Sequence, residues 1–270
     1  MNAPSGLRRP PVFGGHGGHN AEQHRLLGLA FDPLTTGRLA DTGVGPGWRC
    51  LEVGAGDGGV AAWLARRVAP AGAVLATDVR PVRRPAVAGL DFVRHDIVRD
   101  PLPEGAFDLV HVRLVLRLLP ERAAVLDRLV RALTPGGVLQ VDEFDATDAP
   151  ALRVPDAAAH RLYRTFMDAK AQIMDGDGVD IAWGRKAADA MSRAGLTGIS
   201  SHHHSEVWTA GSPWLQLLSH HTHHLRDRFI SAGMTDRQLA HVRELLAHPD
   251  FRARSYEIYS IQGQAATVGG

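Results

Sequence analysis

The sequence predicts an α/β fold: a mainly parallel sheet with helices on both faces. Two observations carry this. Between Trp48 and Glu143, short apolar runs alternate with helical patterns, the signature of parallel strands buried on both sides. Where the first run ends, a glycine cluster, Gly54, Gly56, Gly58 and Gly59, leads into a helix. Such a turn is needed where backbone must approach a ligand closely. The 270-residue length allows one large domain, and 44% apolar with 22% charged residues is ordinary globular composition.

Each element can be justified in order. Residues 1–20 are rich in Gly and Pro and are expected to be flexible, as is the tail 265–270. Ala21 to Ala40 has a helical pattern with an expected interruption at Asp32-Pro33. Gly43, Gly45, Pro46 and Gly47 then mark a loop. Expected strands are Arg49–Val53, Ala73–Thr77, Leu90–Arg94, Phe107–Val112 and Val138–Val141, with helices through Val60–Val68 and Glu121–Leu133. Pro81 and Pro85 allow only a short helix before Ala88. Beyond Glu143, Phe144–Pro155 reads as loop, Ala157–Met174 and Ala182–Ala194 as helices, and Ile199–Trp208 as a strand. Ser212-Pro213 opens a helix to about Ile230. Thr235 and Gln238 form a capping box for a helix through Leu246, and Arg254–Ile261 alternates as a last strand. The expected division is one domain over 21–264. Its ligand-binding core spans about 48–143, and a lid is built from 21–45, 144–182 and 212–246.

Composition also narrows the function. A net charge of +1 gives no broad footprint for nucleic acid or an anionic membrane, and no apolar run is long enough to span a bilayer. No signal peptide is visible, so a cytoplasmic location is expected. Cys50 is the one cysteine, which excludes an internal disulfide and a Cys-rich metal site. The expected partner is a small molecule, and the one macromolecular partner kept open is a second copy in a homodimer.

The chemistry sits in Leu51-Glu52-Val53-Gly54-Ala55-Gly56-Asp57-Gly58-Gly59. Gly54, Gly56 and Gly59 also satisfy a dinucleotide fingerprint. An acid at Glu52, however, suits a ligand's ammonium group and would repel a pyrophosphate. Asp78, with Val79 beside it, closes the second strand, where a carboxylate can accept both hydroxyls of a ribose. His95-Asp96-Ile97 follows the third strand, where an acid can accept from an adenine amino group and an apolar neighbour can pack on the ring. All three positions lie at carboxyl ends of parallel strands, where open α/β sheets bind ligands.

Glu52 to Gly58 resembles the E-x-G-x-G-x-G first motif of class I methyltransferases that use S-adenosylmethionine (SAM). Asp78 and Asp96 match their second and adenine-side acids, Phe107-Asp108-Leu109-Val110 looks like their fourth strand, and Leu133 to Leu139 resembles their L-x-P-G-G turn. The wider chain is similar to small-molecule methyltransferases of actinobacterial secondary metabolism, including antibiotic biosynthesis. The resemblance implies a Rossmann-like, mainly parallel seven-stranded sheet with an antiparallel last strand and a helical lid. It also implies SAM as cofactor, held by Glu52, Gly54, Ala55, Gly56, Gly58, Asp78, Val79, His95, Asp96, Ile97 and Arg113. At Arg117 and Leu118 relatives often carry histidines, so no role is carried over there.

Methyl transfer from a sulfonium needs an acceptor held in line and water kept out, with a base only where the acceptor holds its proton firmly. Candidate catalytic residues are His111 in the fourth strand, Glu143 at the end of the fifth, and His221. Trp214, Leu218, His221 and Leu225 share one helix face, while His220, His223 and Asp227 share another. His221 is therefore expected to point inward, toward the core or an acceptor pocket. His202, His203 and His204 alternate across a strand and cannot converge. His220 and His224 have metal-ligand spacing but lack a third ligand, so no metal is expected. His16 and His19 fall in the flexible N-terminal segment. Two rivals are a nicotinamide-dependent oxidoreductase, for which no Tyr/Lys or His constellation is present, and a SAM-binding protein without catalysis.

Overall fold

The computed structural model describes residues 18–80 and 86–267. Its strands are β1 (Arg49–Val53), β2 (Ala73–Asp78), β3 (Leu90–Arg94), β4 (Phe107–Arg113), β5 (Leu133–Asp145), β6 (Ala151–Arg153), β7 (Thr197–His204), β8 (Val207–Thr209), β9 (Arg252–Arg254) and β10 (Glu257–Gln264). The helices are α1 (Gly18–Asp41), α2 (Gly59–Val68), α3 (Arg122–Ala132), α4 (Ala157–Gly176), α5 (Trp183–Arg193), α6 (Pro213–His224), α7 (Arg226–Ser231) and α8 (Asp236–Ala247). Seven strands form one sheet in the order β3-β2-β1-β4-β5-β10-β7. β1 to β5 pair in parallel, and β10 runs antiparallel to both β5 and β7. The remaining three form a small antiparallel sheet, β6-β9-β8. The chain thus has the Rossmann-like, mainly parallel architecture that its strand pattern predicts.

Strand alternation divides the core. On one face Cys50, Leu109 and Val138 pack with Leu39, Leu64 and Val68 of α1 and α2. On the other, Leu51, Val110, Leu139 and Ile261 pack with Leu126 and Leu129 of α3 and Met191 of α5. A third cluster lies at the carboxyl end of β5, where Phe144 meets Phe31, Phe166, Trp208, Trp214, Phe229 and Tyr256 from the helical layer and small sheet. Side chains of this size dominate core energetics, so the helical layer is held mainly by aromatic packing.

Several boundaries differ from the sequence reading. α1 runs unbroken through Pro33: Thr35 and Asp32 make tertiary bonds on either side, which offset the lost backbone bond. β5 continues to Asp145 because β10 pairs with it from Gln264↔Val138 to Glu257↔Asp145. The expected strand Ile199–Trp208 is two strands in different sheets, and the expected helix to Ile230 breaks at Leu225. β6 lies inside the expected loop, and β9 and β10 divide the expected last strand. The capping box of Thr235 and Gln238 is present as expected. His16 and the stretch 81–85 lie outside the described residues. Among those described, no helix is long and apolar enough to cross a membrane.

Candidate functional site

The glycine loop lies at the carboxyl end of β1. Gly54, Gly56 and Gly58 all have positive φ, at 70°, 56° and 84°. At Gly54 a Cβ would also stand 2.3 Å from Val115 Cγ2, so both conformation and space require glycine. The loop is fixed across β2: the amides of Gly54 and Ala55 donate to the Thr77 carbonyl at 2.8 and 2.9 Å. Asp78, next along β2, accepts from the Gly56 amide at 3.1 Å and from the Arg80 amide at 3.0 Å. Two amides thus fix the carboxylate while leaving it lone pairs for a ligand. Val79 beside it is 47% exposed, an apolar surface at the site.

The next acid is oriented in the same way. Asp96 Oδ1 accepts from the Val98 amide at 3.0 Å, and Arg99 lies 3.5 Å from Oδ2. Ile97 is buried, and His95 Nε2 lies 3.2 Å from the Pro101 carbonyl. Glycine loop, Asp78 and Asp96 therefore line adjacent strand ends, as their spacing predicts.

Glu52 also has partners within the fold. It shares a sheet face with His111 of β4 and Asp142 of β5, and all three are buried. His111 Nδ1 is 2.6 Å from Glu52 Oε2, and Nε2 is 3.2 Å from Asp142 Oδ2. A carboxylate accepts only, so both ring nitrogens donate and the ring is an imidazolium. Burial would lower the His111 pKa, but the attraction of Glu52 and Asp142 outweighs it and raises it to about 9. Burial would raise Asp142, but its bonds from His111 and Thr35 hold it at about 2. The ribbon continues sideways: Gln140 donates to Asp142 at 3.2 Å, and Gln262 donates to Gln140 at 2.8 Å. His111 is thus a committed ion-pair partner rather than a free base.

α1 closes over this ribbon. Thr35 Oγ1 donates to Asp142 Oδ2 at 2.7 Å and accepts from Arg113 Nη1 at 3.1 Å, while Arg113 Nη2 donates to Asp32 at 2.7 Å. Arg113 therefore holds a structural carboxylate at the site's edge. The His24 ring stands 3.6 Å from where a Gly56 Cβ would be, and Asp32 Oδ2 is closer still over Gly59, at 2.5 Å. Burial lowers the His24 pKa. His24, Asp32 and Thr35 were not singled out in the sequence, since their partners are far along the chain and no local spacing reveals them.

The three catalytic candidates do not meet. Alternation puts Glu143 on the face opposite His111, where its Oε1 accepts from the Arg117 amide at 3.2 Å. Burial pushes its carboxyl up to about 8, against the pull of Arg117. Arg117 is itself buried with its Cζ 5.6 Å from the Phe144 ring centre. His221 is buried within the helical layer with Trp214, Leu218 and Leu225, the face its spacing predicts. Burial, then Lys170, lowers its pKa well below 6.5. It lines neither of the two cavities described here. His220 and His224 pack their rings on His19 at 5.4 and 5.0 Å. Among the described residues no His, Cys, Asp or Glu group could hold a metal.

One cavity, about 20 Å³, lies between α1 and the end of β5 against Phe31, Thr35, Arg113, Asp142 and Phe144. A second, about 260 Å³, lies between α4 and the segment following β5.

Residues 51–141 match the family model described as a methyltransferase domain. Over this stretch the chain is similar to methyltransferase domains. That stretch contains the glycine loop, both strand-end acids and His111. Within the curated proteins, methyltransferase str3 of Strobilurus tenacellus is 37% identical over 110 residues, covering 40% of this chain and 39% of that protein. The ubiquinone/menaquinone biosynthesis C-methyltransferase UbiE of Xanthomonas campestris is 34% identical over 121 residues, covering 41% of this chain and 48% of that protein. The matches thus span less than half the length of either relative. Among solved structures, the [4+2]-cyclase SpnF superposes with a TM-score of 0.53 at 21% identity, covering 87% of this chain and 81% of that one. The matched stretch runs from within β1 to within β5, while α1, Asp142, Glu143 and everything after β5 lie outside the matched residues.

Proposed function

We propose that the protein transfers the methyl group of SAM to a small-molecule acceptor. The observation that carries this reading is Asp78 fixed by the Gly56 and Arg80 amides beside a left-handed glycine loop, with Asp96 at the neighbouring strand end. Asp78 accepts the ribose hydroxyls, Asp96 with His95 faces the adenine edge, and Val79 and Ile97 flank its ring. Gly54, Ala55, Gly56 and Gly58 allow the close approach of the cofactor. Glu52 and Arg113 border its methionine end, with Glu52 held by His111 and Arg113 by Asp32. SAM supplies an electrophilic methyl group, so the protein's tasks are to align the acceptor and exclude water. His111 serves as a positioning residue because both its nitrogens are bonded. Glu143, with its raised pKa, is suited to hold or take a proton at Oε2. The segments 21–45, 144–182 and 212–246 form the acceptor lid.

We take the acceptor to be a secondary-metabolite intermediate; str3 and UbiE are both named as methyltransferases, the latter of ubiquinone/menaquinone biosynthesis. A fold alone does not decide the reaction, and SpnF is named as a cyclase. Calorimetry with SAM, S-adenosylhomocysteine (SAH) and NADH tests the cofactor: the first two should bind, and tight NADH binding without SAM would overturn the reading. Turnover with a panel of phenols and quinols should release SAH; product formed without SAH release would exclude methyl transfer.

A further inference from the structure

We propose that the 260 Å³ cavity is the acceptor pocket, and that it takes a flat, uncharged, largely apolar molecule anchored through one carbonyl or hydroxyl oxygen. This rests on the methyl-transfer reading. The pocket is an order of magnitude larger than the void beside Asp142, which holds about one water.

Tyr163 is the anchor. Its ring is 1% exposed, borders the cavity and is fixed edge-on against Phe251 at 5.2 Å. Its Oη is buried and makes no hydrogen bond among the described residues. Buried hydroxyls in folded proteins almost always find a partner, and a ligand oxygen in the cavity supplies one. Burial raises the phenol's pKa, so the group remains a donor. The second tyrosine at the cavity, Tyr256, already has a partner, since its Oη accepts from Lys170 Nζ at 3.0 Å, whereas Tyr163 has none among the described residues.

The walls select the rest of the molecule. Met167 and Met174 give a polarisable, adaptable lining suited to a flat ring system. His160, Arg164 and Asp168 recur every fourth residue and share one face of α4. Across from them Asp148 is paired with Arg254 at 2.5 Å. Charges of both signs leave no net field to favour an ion. The position fits methyl transfer: Phe144 of the small cavity and Tyr256 of the large one have ring centres 5.8 Å apart. The large cavity is walled by residues 146–151, directly after the carboxyl end of β5.

The test uses the full chain, saturated with SAH, and 1-naphthol as probe in calorimetry. Wild type should bind 1-naphthol more tightly than 1-naphthoate. Tyr163→Phe, which keeps the ring and removes the donor, should weaken 1-naphthol about tenfold. Met167→Trp, which fills the cavity, should abolish it, and both variants should bind SAH as wild type does. No 1-naphthol binding at millimolar concentration, or equal binding by both variants, overturns the assignment. Failure of wild type to bind SAH refutes the methyl-transfer reading separately, whatever 1-naphthol does.

Discussion

His111 lies between two carboxylates and has no solvent to relieve it. Removing one member of a buried charge group leaves the others uncompensated, at a cost of about 3–5 kcal/mol. His111→Gln should lose stability of that order in urea unfolding; a variant as stable as wild type would mean the ring is neutral. Asp78→Ala should weaken SAM about tenfold or more, since each bond to a charged group contributes about 1.5–3 kcal/mol. An unchanged dissociation constant in calorimetry would remove Asp78 from the ribose site. His221→Ala should destabilise by about 1–3 kcal/mol in the same unfolding measurement, with SAH affinity intact, as for other core truncations. His220→Ala, half-exposed on the helix surface, should do little. The loop and its acids were legible because their roles follow from local spacing at strand ends. The partners of Glu52 and Arg113 were not, because Asp32 precedes Arg113 by 81 residues and His111 follows Glu52 by 59.

At the scale of elements, the strands and most helices could be read from periodicity, and the errors have one source. Pro33 reads as a break, yet α1 stays whole because contacts at Asp32 and Thr35 outweigh a local preference. β5 could not be extended by inspection either, since its last residues are strand only through pairing with β10. α4 was legible as a helix but not as a cavity wall, because the opposite wall comes from a segment that reads as loop. Asp32→Ala should free Arg113 and loosen α1 over the glycine loop. Hydrogen exchange should then speed up across residues 18–41 while β1 to β5 stay protected. Unchanged exchange in α1 would show that apolar packing alone holds it.

For the whole molecule, the buried titratable groups set a pH window. His111, raised from 6.5 to about 9, adds stability that is full below 6.5 and is lost as pH rises through 9. Glu143, raised from 4.5 to about 8, also favours the protonated side, so its share is full below 4.5 and is lost as pH climbs from there through 8. Asp142, lowered from 3.8 to about 2, contributes above 3.8 and loses its share on acidification. On these groups the Tm should therefore be highest at about pH 4 and fall toward pH 9, with Glu143→Gln flattening part of the decline. A Tm that rises from pH 6 to 9 would contradict the protonated His111. The bonds from Thr35 and Asp32 to Asp142 and Arg113 carry a consequence for ancestry. A recombination event that moved only residues 51–141 would part the Arg113 guanidinium from its counter-ion Asp32 and His111 from the buried Asp142 carboxylate. Viable chimaeras must inherit α1 together with the strands it covers, so these two stretches, though separated in the gene, are bound to travel as one hereditary unit.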